Sequence, residues 1–600
     1  MKSTLRRAAA RTGVVAVLAA CACPLPTGRA DAATYVVNRR HPQAGDENAG
    51  TAEEPFKTIG RAAQAVRAGD TVIIRGGVYR ESVAVEASGT ADRPITFAAG
   101  AADRVIVTGA DEITDWRREK DEGNVFSAPW PHRFIAWNRH FTHPDDDFHR
   151  LVGRCEQVFV HGYLLRQVLR REKLSRGTFY VDLAGKRLLV WSRDNRDLTK
   201  RRVPVEASTR TTTWVSKGDH VHLKGIRFRC AANAAQRGAV QVLGDHNVVA
   251  DCVFEKANSI GAQFRGRSVV VRRCVFQDNG QMGFSAVGAH DLLITGCTCR
   301  RNNTKGYSRG WEAGGNKIVL CRGLVLEKSV FTSNRGNGIW FDIGNEKCTV
   351  RNCLIADNDE AGVFYEISYG LHAHDNVVVG NGFGGSSGAW GADGGISISS
   401  SPGCVVERNL IVGNKEGFQF REQVRSTPKI DDGRKRRSHP VWNHDHVIRR
   451  NVIAFNRDLQ VGGWFDVTDG RHWPKAMQTP AAEKGKAAAD IAAKYKAKPA
   501  KGPPPGTSLE DLKITFEGNL YCTDAGQGLW QWGCRWRRHR KYATLDDVRS
   551  QLGLEAGGRV QRIVFGSYAA RDFRVPADSP AIRMKCYPRG AVPGARLGTK

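Results

Sequence analysis

Arg273-Cys274-Val275-Phe276, Asn352-Cys353-Leu354-Ile355 and Arg450-Asn451-Val452-Ile453 are copies of one phrase, and that phrase decides the fold. It recurs at Asp251-Cys252-Val253-Phe254, Gly296-Cys297-Thr298-Cys299, Lys328-Ser329-Val330-Phe331, Asp375-Asn376-Val377-Val378 and Arg408-Asn409-Leu410-Ile411. In chain order the copies are spaced by 22, 23, 32, 24, 23, 33 and 42 residues. In seven of the eight, an asparagine follows five residues after the second position: Asn279, Asn302, Asn334, Asn358, Asn381, Asn414 and Asn456. Each unit therefore reads as strand, Asn-bearing turn, Gly-led strand and next turn. A unit this short cannot bury its own apolar face, so successive units must stack and pair in parallel along a solenoid. Stacking brings the asparagines into line, where their amides bond one another and the turn backbone.

Outward from the repeat, the N-terminal side carries Gly50-Thr51-Ala52-Glu53-Glu54-Pro55-Phe56-Lys57-Thr58-Ile59, a short helix to about Ala68, then Gly69-Asp70-Thr71-Val72-Ile73-Ile74-Arg75-Gly76-Gly77-Val78-Tyr79. This layout resembles the pectate-lyase-like right-handed parallel β-helix superfamily. The resemblance implies an all-β solenoid whose capping helix covers the open end of the apolar core.

The expected organisation is a signal peptide over 1–32, a cap and first coils over 33–111, and a β-rich insert over 112–210 built on segments such as Gln157–Val160 and Thr178–Val181. Central repeats follow over 211–466, then an Ala/Lys/Pro-rich insertion over 467–507 and a C-terminal coil and tail over 508–600. The leader combines basic Lys2, Arg6, Arg7 and Arg11, apolar Val14–Leu18, and the small residues Ala30-Asp31-Ala32. Leu18-Ala19-Ala20-Cys21 also matches a lipoprotein cleavage box. Two routes thus stay open: a secreted or periplasmic protein, or one tethered to the cell surface through lipidated Cys21. No other apolar run approaches the roughly 20 residues a membrane span requires.

Lysine and arginine outnumber the acids, 90 to 61, for a net charge of +29. Such an excess attracts polyanions, and for an exported chain acidic or sulfated polysaccharide fits better than nucleic acid; a plain basic surface is the alternative. Of fifteen cysteines, two fall in the leader, leaving an odd thirteen. Most lie inside the apolar phrases, which predicts small buried hydrophobes rather than cross-links. Cys522 and Cys534 are the one pair placed to form a disulfide. No paired CxxC spacing supports structural zinc.

Chemistry points to three middle repeats, where the Gly-led strands read Gly338-Ile339-Trp340-Phe341-Asp342, Gly362-Val363-Phe364-Tyr365-Glu366 and Gly395-Ile396-Ser397-Ile398-Ser399. Alternation sends Ile339, Phe341, Val363, Tyr365, Ile396 and Ile398 inward, and Trp340, Asp342, Phe364 and Glu366 onto the outer wall. Asp342 and Glu366 each follow their repeat's asparagine by eight residues, which places their Cα atoms roughly 4.8 Å apart on adjacent coils. Two carboxylates so close repel, and one is expected to hold its proton. Retaining glycosidases use such a pair, as nucleophile and acid/base, with carboxyls about 5–5.5 Å apart. A solvated acidic face and a calcium site are the competing readings.

The same residues resemble the motifs of the right-handed β-helix β-xylosidase family over about residues 334–380. That resemblance implies a retaining glycoside hydrolase acting on a plant or algal polysaccharide or its oligosaccharides, with Asp342 as nucleophile, Glu366 as acid/base and no cofactor. Trp340, Phe364, Glu312, Lys317, Trp390, Asp393 and Arg421 are candidate substrate-binding residues, with Glu422 beside Arg421 as an ion-pair alternative. A calcium-dependent lyase on acidic polysaccharide, with Lys317 as base and the two acids as metal ligands, is the rival. A non-catalytic carbohydrate-binding protein is the third.

Overall fold

The computed structural model describes residues 31–120, 122–134, 153–200, 202–310, 312–385, 392–435, 437–465, 472–478, 507–534 and 538–587. The leader with Cys21, most of the 467–507 insertion, and Trp390 lie outside the described residues.

Three 13-stranded sheets run the length of the molecule, each taking one strand from each coil, and nearly all their pairings are parallel. The chain turns between sheets at tight corners where one residue is left-handed. Asp251, Arg273, Gly296, Lys328, Asn352, Asp375, Arg408 and Arg450, the first residues of the eight phrases, all take φ between 49° and 63°. Asp278, Arg301, Ser333, Asp357, Gly380, Gly413 and Phe455, immediately before the seven asparagines, take φ between 52° and 70°. Most of these are not glycine, so each corner carries a local backbone cost. The asparagine after the second corner offsets it.

Each ladder amide donates through Nδ2 to the Oδ1 of the next. The links run Asn279 to Asn302 (3.0 Å), Asn334 (2.9 Å), Asn358 (2.9 Å), Asn381 (2.8 Å), Asn414 (2.9 Å) and Asn456 (3.0 Å). Gln460 takes the last amide at 2.9 Å. The second phrase position forms another column. It is cysteine at 252, 274, 297 and 353, then becomes a second asparagine ladder through Asn376, Asn409, Asn451 and Asn519, ending on Glu555.

Inside, one apolar core runs from Val37 to Leu554 and contains the stacked Phe228, Phe254 and Phe276. Its N-terminal end is closed by helix α1 (Ile59–Ala65), capped by Thr58, and its C-terminal region by helix α2 (Leu545–Leu552), which buries Leu545, Val548 and Leu552. Two small sheets over 110–208 enclose a separate core around Phe126, Phe179 and Val190 and dock on the solenoid through Phe159 and Cys230. All thirteen described cysteines are buried, and Cys522 is a free thiol, not half of a disulfide with Cys534. No helix among the described residues is long and apolar enough to cross a membrane.

Candidate active site

Five consecutive strands of the second sheet build the site: β1 (Gly314–Val319), β2 (Ile339–Asp342), β3 (Val363–Glu366), β4 (Gly394–Ser399) and β5 (Glu416–Glu422). Register pairs Trp340 with Phe364 and Phe341 with Tyr365, so Asp342 and Glu366 end adjacent rungs. Phe364 then pairs with Ser397, Glu366 with Ser399, and Ser399 with Arg421. One outward column therefore reads Val319, Asp342, Glu366, Ser399, Arg421, and its neighbour reads Lys317, Trp340, Phe364, Ser397, Gln419.

The six residues expected inside are all in the core. The four expected outside do face away from it, but they are not exposed: Trp340 and Phe364 retain 5% of their surface, Asp342 and Glu366 7%. Alternation along a strand fixes the face and says nothing about what rises beside it. Trp340 and Phe364 pack 5.9 Å apart with Ala361 and Ala392, as a small cluster of their own. The outer face of these strands is therefore covered here rather than an open wall.

Lys317 organises one side of that face. Its Nζ lies 2.8 Å from Asp342 Oδ2, 2.8 Å from Glu312 Oε1 and 4.4 Å above the Trp340 ring. Burial alone would lower the lysine pKa, but the two carboxylates outweigh it and hold Lys317 above its ordinary value. Glu312, at a left-handed φ of 53°, is fixed by Gln281, whose amide donates to its carbonyl at 2.7 Å, and by Gln236, which donates to Oε2. The second oxygen of Asp342, Oδ1, is buried and takes no hydrogen bond.

Glu366 is in a different environment. Burial and then the neighbouring Asp342 charge raise its pKa, against the lowering pull of Arg425 and Arg421. Arg425 Nη1 reaches its Oε1 at 2.7 Å from a hairpin of Arg425–Thr427 and His439–Val441 that folds over the corner. Sequence reading missed Arg425. The signal was the 42-residue spacing, which is too long for one coil and leaves room for a hairpin.

Asp393 does not join the carboxylate pair. It sits at the opposite ends of the strands, across the aromatics, where Lys415 Nζ meets it at 2.5 Å. Nearby Glu360, unremarked in the sequence, is pushed up to about 7 by burial and by the Asp393 charge. Glu422 is not an ion-pair partner for Arg421. It turns inward and accepts from the Asn443 backbone and side-chain amides at 2.9 and 2.7 Å. Among the described residues no three His, Cys, Asp or Glu side chains gather to hold a metal.

A family model and one solved structure agree on the fold. Residues 238–392 match the model of the right-handed β-helix region. The solved structure of XylC in complex with xylose aligns with a TM-score of 0.59 at 17% identity, covering 83% of this chain and 86% of that one. A solved glycoside hydrolase gives a TM-score of 0.48 at 16% identity over 65% of this chain and 95% of its own. The uncharacterized protein YwoF of Bacillus subtilis (strain 168) is 43% identical over 68 residues, 11% of this chain and 14% of that protein. The chain is a right-handed parallel β-helix protein, similar along most of its length to a solved structure that holds xylose.

Proposed function

We propose that this chain is an exported retaining glycoside hydrolase in which Asp342 attacks the anomeric carbon and Glu366 protonates the leaving oxygen, then activates water. The observation that carries the reading is one pair of carboxylates on adjacent rungs in opposite surroundings. Asp342 is ion-paired through one oxygen to Lys317, with the other free to act as nucleophile. Glu366 is buried beside that charge, which favours its protonated form and suits a general acid. Rung spacing of about 4.8 Å fits the 5–5.5 Å separation of retaining enzymes.

Trp340 and Phe364 give the sugar ring an apolar floor, while Glu312 and Lys317 offer hydrogen bonds to its hydroxyls. The similarity to XylC bound to xylose is in keeping with a sugar at this site. No cofactor enters this chemistry. A lyase reading needs Lys317 as a neutral base, and the carboxylates that hold its proton work against that role.

The test is turnover of 4-nitrophenyl glycosides, led by the β-xyloside, by wild type, Asp342→Asn and Glu366→Gln. Loss of about 10²–10⁴-fold in kcat is expected for the acid/base variant, with azide restoring activity to Asp342→Asn as a glycosyl azide. An unsaturated uronate product from wild type would replace the hydrolase with a lyase. Inverted anomeric configuration would remove the covalent step.

A further inference from the structure

The outward-facing columns continue past Glu366. Ser399 and Arg421 occupy the next two rungs of the carboxylate column, and Trp464, stacked on His539 at 4.6 Å, stands one rung further. In the neighbouring column the bulky Trp340 and Phe364 give way to Ser397, Gln419 and Gly462. Side chains there change from large to small, and all of them are buried. Their polar atoms are unpaired: Ser399 Oγ and both amide atoms of Gln419 are fully buried and have no hydrogen-bond partner. Gln419 lies flat over the next rung because Gly462 has no side chain; a Cβ there would stand 2.2 Å from its Oε1.

Arg421 lacks the acidic partner that several arginines of the coils have. Arg301 pairs with Asp278, Arg351 with Glu327, Arg408 with Asp375, Arg449 with Glu407 and Arg425 with Glu366. Among the described residues no side chain or carbonyl takes the guanidinium of Arg421, although its backbone carbonyl is bonded to Asn443 and Ser400. A planar guanidinium beside an unpaired amide and hydroxyl matches a sugar that carries both hydroxyls and a carboxylate.

We infer that this face binds a uronic acid residue beyond the cleaved bond, with Arg421 holding its carboxylate and Gln419 and Ser399 its hydroxyls. The direction rests on the hydrolase reading, since the leaving group departs from the Glu366 side. That sugar then lies over Ser399, with Arg421 two rungs, roughly 10 Å, from Glu366. The net charge of +29 draws such an acidic chain towards the protein.

Binding tests this without turnover. Disaccharides ending in glucuronate, galacturonate or mannuronate are titrated calorimetrically into the full-length protein at low salt, each beside its carboxyl-reduced counterpart. At least one uronate is expected to bind about tenfold to a hundredfold more tightly than its neutral partner, the worth of a charge-assisted pair. Arg421→Gln should bring that ratio to within about twofold. Arg421→Lys, which keeps the charge without the fork, should leave an intermediate ratio and guards against a misfolded glutamine variant. The inference is overturned if no pair shows carboxylate preference, or if both variants keep the preference whole. Turnover of 4-nitrophenyl β-xyloside by wild type is read separately, so loss of the hydrolase reading and loss of the uronate site give different results.

Discussion

Replacing Asn358 with alanine removes the middle of the asparagine ladder beneath the candidate site. Its Nδ2 donates to Asn381 Oδ1 at 2.8 Å and to the Phe331 carbonyl at 3.1 Å. Its Oδ1 accepts from the Asn334 side chain at 2.9 Å and from the Asn334 N–H at 3.1 Å. Four bonds at about 1 kcal/mol net each give a cost near 4 kcal/mol, and the Asn334 N–H is left buried without its acceptor. In a solenoid that cost falls on the neighbouring coils rather than on the whole chain. Amide hydrogen exchange is the assay: protection of the Asn334 N–H should fall by about a thousandfold, since each 1.4 kcal/mol is tenfold. Gly338, the residue before β2, lies directly against this amide, with an imagined Cβ 2.6 Å from Nδ2, so xyloside turnover should fall alongside. Protection at Asn334 reduced by less than tenfold would refute the claim that the ladder, rather than strand pairing alone, fixes the corner.

Arg425→Met removes the cation that lowers the Glu366 pKa, so the acid should stay protonated to higher pH and the alkaline limb of the kcat/KM profile should move up. A limb that stays in place would mean that another group sets it. Glu555 ends the second ladder, accepting from Asn519 at 3.0 and 2.9 Å and from the Tyr521 hydroxyl at 2.6 Å, yet burial lifts it to about 7. The folded state thus holds this proton more tightly than the unfolded chain. Its contribution is complete below about pH 4.5 and is lost as pH rises through 7, by up to about 3 kcal/mol. Denaturant midpoints of wild type and Glu555→Gln across that range should show the glutamine variant with the flatter profile.

Much of the architecture was legible because the repeat constrains every rung in the same way. Once Cys274-Val275-Phe276 and its copies were aligned, parallel pairing, the first asparagine ladder and the inward set from Ile339 to Ile398 followed from alternation. The adjacency of Asp342 and Glu366 followed too, because both count from a ladder asparagine. What did not follow was anything contributed by a corner excursion. The burial of Trp340 and Phe364 depends on neighbours such as Ala392, whose approach no strand period encodes. Arg425 reaches Glu366 across 59 residues of chain from a hairpin with no repeat of its own. Glu422 pointed inward because Asn443 offered two donors, a partnership invisible in the Arg421-Glu422 dipeptide.

The column of cysteines that precedes the second ladder has a bearing on how the molecule survives damage. Cys252, Cys274 and Cys297 stand on successive rungs, and Cys274 N–H points at the Cys297 sulfur at 3.4 Å. While the coils stay wound these sulfurs are out of reach of oxidants, however many circulate outside. Melting would release a crowd of mutually reactive groups in a chain that has never had to sort them. Thermal inactivation in air should therefore be a one-way event, with recovery on cooling only where a reductant keeps the sulfurs apart.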